Sequence, residues 1–365
     1  MRKKYLQTGK KELYPAYGRV KGTELLQNHR GITVSSTIGN ILEEVIDRRI
    51  NMAVKFTQAQ GGGIKGSSTC DHIFVLRSLM NIALKQKRET YLTFYDVQKA
   101  FDNVDNNDML AVMWEGGLRG KVWRARKEFC EGLISVVRTR HGLTREIIME
   151  IGGKQGSKLT GRMFAKLMDK LSEMVITEGL GVKIKEELII GALLWVDDIV
   201  SCVDGKQNQF EILSKMDTFA KDHKLQLGAN KCKGMPLSKC DIKQWPFGDL
   251  VIESCEEYKY LGDVITKDGK NTKNITERKN KVMATTISIA SLASSEVLTK
   301  METPVLLQLH EQMTIPSLLN NAEAWNLLVK EQKEIEQTEI MCLKNLFNLP
   351  PKTPSPAIIY TLGTL

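Results

Sequence analysis

The sequence predicts an α+β fold, and three observations lead there. Helical periodicities fill the first ninety residues or so and return from about residue 270. Between them, short aromatic and β-branched runs alternate with amphipathic helices, as strands of one sheet do when helices cover a face of it. The chain has 365 residues, 42% hydrophobic and 26% charged, which is ordinary globular composition and enough for two or three domains.

In chain order, "STIGNILEEVIDRRI" (36–50) sets Ile38, Leu42, Val45, Ile46 and Ile50 at helical spacing. "AQGGGIKGSS" (59–68) carries four glycines and reads as a loop. Ser68 and Asp71 have capping-box spacing for a helix whose buried stripe is Ile73, Leu76, Met80 and Leu84. "YLTFYDV" (91–97) is a buried strand ending near Asp96. "GGKQGSKLTG" (152–161) is a second glycine-rich loop, running into a helix with Phe164, Leu167, Leu171 and Val175 on one side. "ELIIGALLWV" (187–196) is a strand and "IVSCV" (199–203) another, so Asp197 and Asp198 lie at or beside a hairpin tip. Residues 207–222 form an amphipathic helix through Phe210, Leu213 and Met216. Strands and helices alternate to about 265, helices follow, and the prolines of "NLPPKTPSP" end regular structure.

Several classes of function are excluded or disfavoured. No apolar run reaches the roughly 18 to 20 residues of a membrane span, and the N-terminus lacks the apolar core of a secretory signal. Seven cysteines without a C-x-x-C pair argue for reduced thiols inside a cell, in cytoplasm or nucleus, and against a zinc knuckle. The Asn274 sequon is then a chance match. The net charge of +9 suits a protein that binds polyanions. In the first 30 residues Arg2, Lys3, Lys4, Lys10, Lys11, Arg19, Lys21 and Arg30 face only Glu12 and Glu24, as a solvated tail or a phosphate-contacting edge would.

The chemistry concentrates in carboxylates. Asp197 and Asp198 repel each other at a tight turn, so each raises the other's pKa unless a cation offsets the charge. Alone, two adjacent aspartates more often make only an Asx-type turn. Here apolar runs mount the turn on both sides, as a site that must hold its shape requires. If the strand ending at Asp96 lies beside the hairpin, three hard-oxygen ligands converge, a set that suits Mg²⁺.

"TFYDVQKAFDNVDNNDML" (93–110), "GGKQGSKLTGRMF" (152–164) and "LLWVDDIV" (193–200), in that order, resemble the successive palm motifs of reverse transcriptases, above all those of non-LTR (LINE-like) retrotransposons. "QNHRGITVSSTIGN" (27–40) and "QGGGIKGSSTCDHIFVLR" (60–77) are similar to their fingers segment and the one after it. "LQLGANKCKGM" (225–235) resembles their lysine-bearing strand, "YKYLG" (258–262) their primer grip, and "IPSLLNNAEAW" with "MCLKNLFNLPPKTP" their thumb and the region beyond.

The resemblance implies a right-hand polymerase with an antiparallel-sheet palm of RRM/ferredoxin type: fingers over 1–90, their beginning truncated, palm and primer grip over 91–265, and a helical thumb with its extension over 266–365. It implies an RNA-directed DNA polymerase that extends a DNA primer on an RNA template with dNTPs, using two Mg²⁺ ions, with Mn²⁺ as an alternative. Asp96, Asp197 and Asp198 would be catalytic and hold the metal together with Val97, and Lys231 would protonate the leaving pyrophosphate. Arg30, Lys65, Phe101, Gln155 and Gly156 would bind the nucleotide, Phe101 by excluding a 2′-hydroxyl, and Tyr260, Leu261 and Gly262 would form the primer grip. Taken singly, each of these has a plainer alternative: Phe101 as core packing, Gln155-Gly156 as a turn, Arg30, Lys65 and Lys231 as solvated charges.

The sequence departs from the family pattern at Trp195, where a tyrosine is usual, and at Ile64 and Ser67, where arginines are expected. The stretch ahead of the resemblance is too short for an endonuclease, so a reverse-transcriptase core is expected, with a synthesis-impaired remnant that binds primer–template or a group II intron-type maturase as the alternatives. A Mg²⁺ phosphohydrolase sharing only the Asp-Asp turn would give no role to Gln155 or Phe101.

Overall fold

The computed structural model describes residues 11–18, 29–31, 33–98, 100–130, 132, 134–139, 142–149, 151–153, 157–186, 188–228, 230–237, 243–293 and 301–362. The first half of the chain forms β1 (Lys11–Gly18), β2 (His29–Gly31), α1 (Thr37–Ala53), α2 (Thr69–Gln86), β3 (Thr90–Asp96), α3 (Ala100–Asn103), α4 (Asn106–Glu115), α5 (Gly120–Cys130), β4 (Ile134–Thr139), β5 (Gly142–Leu143), β6 (Ile147–Ile148) and α6 (Lys158–Thr177). Then come β7 (Val182–Lys185), β8 (Leu188–Ile190), β9 (Ala192–Trp195), β10 (Asp198–Asp204), α7 (Lys206–Asp222), β11 (Lys233–Pro236), β12 (Gln244–Phe247), β13 (Leu250–Ser254), β14 (Glu257–Tyr260) and β15 (Asp263–Thr266). Helices finish the chain: α8 (Thr272–Ala293), α9 (Thr303–Leu309), a π-helical turn at His310–Thr314, α10 (Ile315–Leu319), α11 (Val329–Leu346) and α12 (Ser355–Leu362).

The chain divides into two compact units, one of residues 1–68 and 87–255, the other of 69–86 and 256–365. These divisions differ from the expected boundaries at 90/91 and 265/266: helix α2 and the hairpin 257–266 group with the C-terminal helices. A buried polar network on Asp263 joins these elements within the second unit.

The first unit is built on a six-stranded sheet of order β12-β13-β11-β3-β10-β9, antiparallel except for β11 with β13. β3 sits inside it, flanked by β10 and β11, which is why "TYLTFY" is buried on both faces. Alternation sends Tyr91, Thr93 and Tyr95 to the face covered by helices, where Gln209 of α7 donates to Thr93 Oγ1 at 2.7 Å. Leu92, Phe94 and Asp96 then share the opposite face. Helix α6 lines the core with Leu159, Met163, Phe164, Leu167, Leu171 and Val175, all buried, as its spacing predicts. Each such side chain stabilises the fold by about 1.5 to 3 kcal/mol on burial, and Phe164→Ala would cost about 3 to 5 kcal/mol. A second sheet joins β2, β1, β4 and β5, with β6 also on β4.

Two expectations need correction. The apolar run 187–196 is two strands: Gly191 separates β8, hairpin partner of β7, from β9. A Cβ at Gly191 would collide with the Leu180 carbonyl, so the chain turns sheets where only glycine fits. In α1, Ile46 and Ile50 are buried, but Ile38, Leu42 and Val45 are exposed. The buried face of α1 is Gly39, Glu43, Ile46, Asp47 and Ile50. Polar clamps select it: Arg162 donates to Asp47 at 2.6 Å, and Ser157 Oγ to Glu43 at 2.7 Å.

The second unit holds α2, the β14–β15 hairpin and the C-terminal helices. Its apolar core gathers Ile275, Val282, Leu318, Trp325, Ile335 and Cys342. In α2, Ile73, Leu76 and Met80 are buried as expected, with Leu84 half-buried. No helix among the described residues is long and apolar enough to cross a membrane.

Candidate active site

The site grows from the end of β3. Antiparallel register sets Asp198, the first residue of β10, directly opposite Asp96, the last of β3. Opposed residues share a face, so both carboxylates lie on the side away from α6 and α7. Trp195 pairs with Asp198, leaving Val196 and Asp197 as a two-residue turn. Val196 has φ +60°, a conformation that a β-branched side chain adopts only under strain of about 1 to 3 kcal/mol. Positive φ at the first turn residue alone is the sign pattern of a type II′ hairpin, where glycine is the usual occupant.

The electrostatics report the crowding. The Asp198 carboxyl is pushed up to about 6 by the surrounding protein mass first, although the residue still reaches solvent, and then by the charges of Asp197 and Asp96. Lys231 supplies a counter-charge, its Nζ 3.2 Å from Asp96 Oδ2. The segment before it runs beside the end of β3: Gln98 N donates to Gln226 O at 2.7 Å and Gly228 N to Asp96 O at 2.9 Å. These bonds bridge Val97 to Leu227 through neighbouring groups, which turns the Val97 carbonyl away from Leu227. Behind Asp96, its N–H points to Cys232 Sγ at 3.4 Å.

Hard carboxylate oxygens crowded enough to raise one pKa, with a lysine where a cation would sit, fit a divalent metal in kind. Among the described residues, however, no three His, Cys, Asp or Glu side chains stand arrayed to hold an ion. The expected metal ligands therefore share one corner of the sheet, with Lys231 on Asp96.

Phe101 is half-buried and packs on the core, its ring centroid 5.3 Å from that of Phe164. The backbone from Phe101 receives the second glycine loop: Gly153 N donates to Phe101 O at 2.6 Å and Gly152 N to Val104 O at 2.9 Å. Gln155 and Gly156 lie outside the described residues, but Ser157 caps α6, its Oγ accepting from Thr160 N at 3.3 Å. Arg30 is placed only by its backbone, in β2 opposite Tyr17. Lys65 is exposed in the loop that follows Gly61–Gly63.

That loop contains what sequence reasoning missed. Gln60 is buried at 3% exposure and bonds the turn itself: its Oε1 accepts from Val196 N at 3.2 Å. A Cβ on Gly62 would lie 2.5 Å from that same nitrogen. The only sequence signal was the pattern "QGGG", which marks a loop and not its docking partner 136 residues away.

In the second unit, Tyr260 is buried and the turn Leu261–Gly262 closes β14–β15 with φ of +45° and +86°. The paired positive values fit the type I′ pattern, with leucine in an unusual place. Asn321 Nδ2 donates to Leu261 O at 3.2 Å and Arg278 Nη2 to Gly262 O at 2.8 Å. Both also reach Asp263, at 3.2 Å and 3.1 Å, as do Trp325 Nε1 at 2.7 Å and Arg77 Nη2 at 3.4 Å. Asp263, fully buried, thus ties α2, the hairpin and the helices into one unit.

Over 251 residues the chain is 24% identical to a retrovirus-related Pol polyprotein from the type-1 retrotransposable element R2 of Popillia japonica, covering 64% of this chain and 35% of that protein. Its counterpart from Nasonia vitripennis is 23% identical over 257 residues, covering 66% and 24%. The chain thus spans about a third or less of the curated relatives it matches. A solved telomerase from Candida tropicalis, in complex with a TWJ fragment of telomeric RNA, is similar over 100% of this chain and 66% of that one, with TM-score 0.51 and 13% identity, a likeness of fold alone. The expected right-hand polymerase fold, α+β with a largely antiparallel palm sheet, agrees with it. Residues 15–265 match the reverse transcriptase (RNA-dependent DNA polymerase) family, and the chain belongs to that family.

Proposed function

We propose that this chain extends a DNA primer on an RNA template, as the polymerase core of a non-LTR retrotransposon. The observation that carries this reading is the register of Asp198 opposite Asp96, beside a strained Val196–Asp197 turn, within a reverse transcriptase family match. The reaction is phosphoryl transfer: the primer 3′-hydroxyl attacks the α-phosphate of a dNTP, and pyrophosphate leaves. Two divalent cations, Mg²⁺ or Mn²⁺, held by Asp96, Asp197, Asp198 and the Val97 carbonyl would offset charge on the attacking and leaving oxygens.

The chain's own groups do the rest. Lys231, 66% exposed at its side chain, is free to leave Asp96 once the carboxylate has another counter-charge, and then donates a proton to the pyrophosphate. Phe101, braced on Phe164, bars a ribose 2′-hydroxyl. Lys65, Arg30, Gln155 and Gly156 contact triphosphate or template, and Tyr260, Leu261 and Gly262 position the primer end. Seven cysteines without a C-x-x-C pair support an intracellular setting for this reaction, in cytoplasm or nucleus.

The test is extension of a DNA primer on an RNA template with Mg²⁺ and dNTPs. Wild type should extend and Asp197→Asn should not, with primer–template affinity alike in both. Equal binding with no extension by either would favour a synthesis-impaired remnant, and the expected arginines replaced by Ile64 and Ser67 are the specific reason to keep that reading.

A further inference from the structure

We propose that Gln60 is the positioning residue of the carboxylate turn: its carboxamide holds Val196 in its left-handed conformation and so fixes where Asp197 and Asp198 present their oxygens. The catalytic consequence rests on the polymerase reading above, and the structural one does not.

The carboxamide of Gln60 is bonded at both ends. Oε1 accepts from Gly62 N at 2.9 Å and from Val196 N at 3.2 Å, while Nε2 donates to Ala165 O of α6 at 3.1 Å. The backbone around it pairs with the strand leading into the turn: Leu194 N donates to Ala59 O at 2.8 Å and Gly61 N to Leu194 O at 2.9 Å. Residues 59–61 are thus a short parallel rail along β9. Gly62 closes the contact, because a Cβ there would stand 2.9 Å from the Trp195 carbonyl carbon and nearer still to Val196.

A strained residue persists only where its surroundings over-determine it. With the arms of the hairpin held in register, bringing Val196 to negative φ requires the Trp195–Val196 peptide plane to rotate, which would swing the Val196 N–H out of line with Gln60 Oε1 and leave a buried amide oxygen short of one donor. Gln60 thereby opposes the relaxation that the valine side chain favours. Its anchor is α6, the same helix that carries Phe164 against Phe101, so one rigid element references both the turn and the nucleotide-facing ring. If Gln60 only filled space, an unbranched apolar side chain of similar length would replace it without consequence.

The experiment uses the full chain as wild type, Gln60→Met, Val196→Gly and the double variant. Hydrogen exchange by mass spectrometry is read on peptides spanning 193–200, and steady-state primer extension is read as kcat and dNTP KM. In Gln60→Met, exchange in that peptide should accelerate about fivefold or more, while peptides elsewhere in α6 and β3 stay unchanged. kcat should fall about 10- to 100-fold with KM little changed, since misplaced carboxylates impair the reacting geometry more than nucleotide binding. Glycine reaches positive φ without help, so in the Val196→Gly background the same Gln60→Met change should cost no more than about threefold in kcat.

Unchanged exchange at 193–200, or an equal loss of kcat in both backgrounds, overturns the proposal. If wild type shows no extension at all, the polymerase reading fails while the exchange data still decide the role of Gln60.

Discussion

Asp263→Asn keeps the shape of a fully buried side chain and removes its charge. Asp263 accepts from Arg77, Arg278, Asn321 and Trp325, and the two arginines are themselves 7% and 6% exposed. Burial already pushes the Arg77 guanidinium below its usual range, and Asp263 is the main group opposing that shift. Removing one member of a buried ion pair costs about 3 to 5 kcal/mol, because the remaining charge is left uncompensated. An asparagine also turns one acceptor oxygen into a donor amide facing other donors, which adds to the loss. Equilibrium urea unfolding measures the difference, with Trp325→Phe, which removes one hydrogen bond at 2.7 Å, as a control expected near 1 to 2 kcal/mol. Hydrogen exchange in 257–266 should rise in parallel, since Asn321 and Arg278 also hold the Leu261 and Gly262 carbonyls. A loss below about 1 kcal/mol for Asp263→Asn would refute the view that this network organises the second unit.

Asp198→Asn should stabilise the protein at pH 7.5 without divalent cations. A carboxyl raised from 3.8 to about 6 in the folded state costs stability above that value, and the cost disappears as pH falls toward 3.8. Thermal melts should show the variant's advantage at pH 7.5 fading by about pH 4, and a pH-independent difference would contradict the crowding argument. His72 has the opposite sign: burial holds its imidazole down to about 4 from 6.5, so stability present above 6.5 is lost as pH falls to 4. The loss is bounded at about 3 kcal/mol, and His72→Leu should flatten the acid limb in urea titrations. Phe101→Ala should raise ribonucleotide incorporation relative to dNTPs in primer extension, and unchanged discrimination would return Phe101 to a packing role.

Much of this architecture was legible because local pattern and tertiary environment agree. The run "TYLTFY" is buried at every position since β3 lies inside the sheet, and the stripe through Phe164, Leu167, Leu171 and Val175 faces the core. The hairpin carrying Asp197 and Asp198 was readable from its apolar arms. Its conformation was not: nothing in "WVDD" announces a valine at φ +60°, since that strain is imposed by Gln60 and Gly62 from another part of the chain. Helix α1 misled for a related reason, because Arg162 and Ser157 pull its acidic side chains inward and leave Ile38 and Val45 exposed. Asp263 was hidden by its type, since a lone aspartate in "YLGD" reads as a turn residue until Arg77 of α2 and Arg278 of α8 converge on it.

The central claim is that two strands deliver carboxylates to one cation site. Electron paramagnetic resonance of Mn²⁺ bound to the protein with primer–template and a non-hydrolysable dNTP measures it directly. The account predicts that Asp96→Asn and Asp198→Asn each weaken the same bound Mn²⁺ by at least about tenfold. Unchanged Mn²⁺ affinity in Asp96→Asn, with loss in Asp198→Asn, would contradict it.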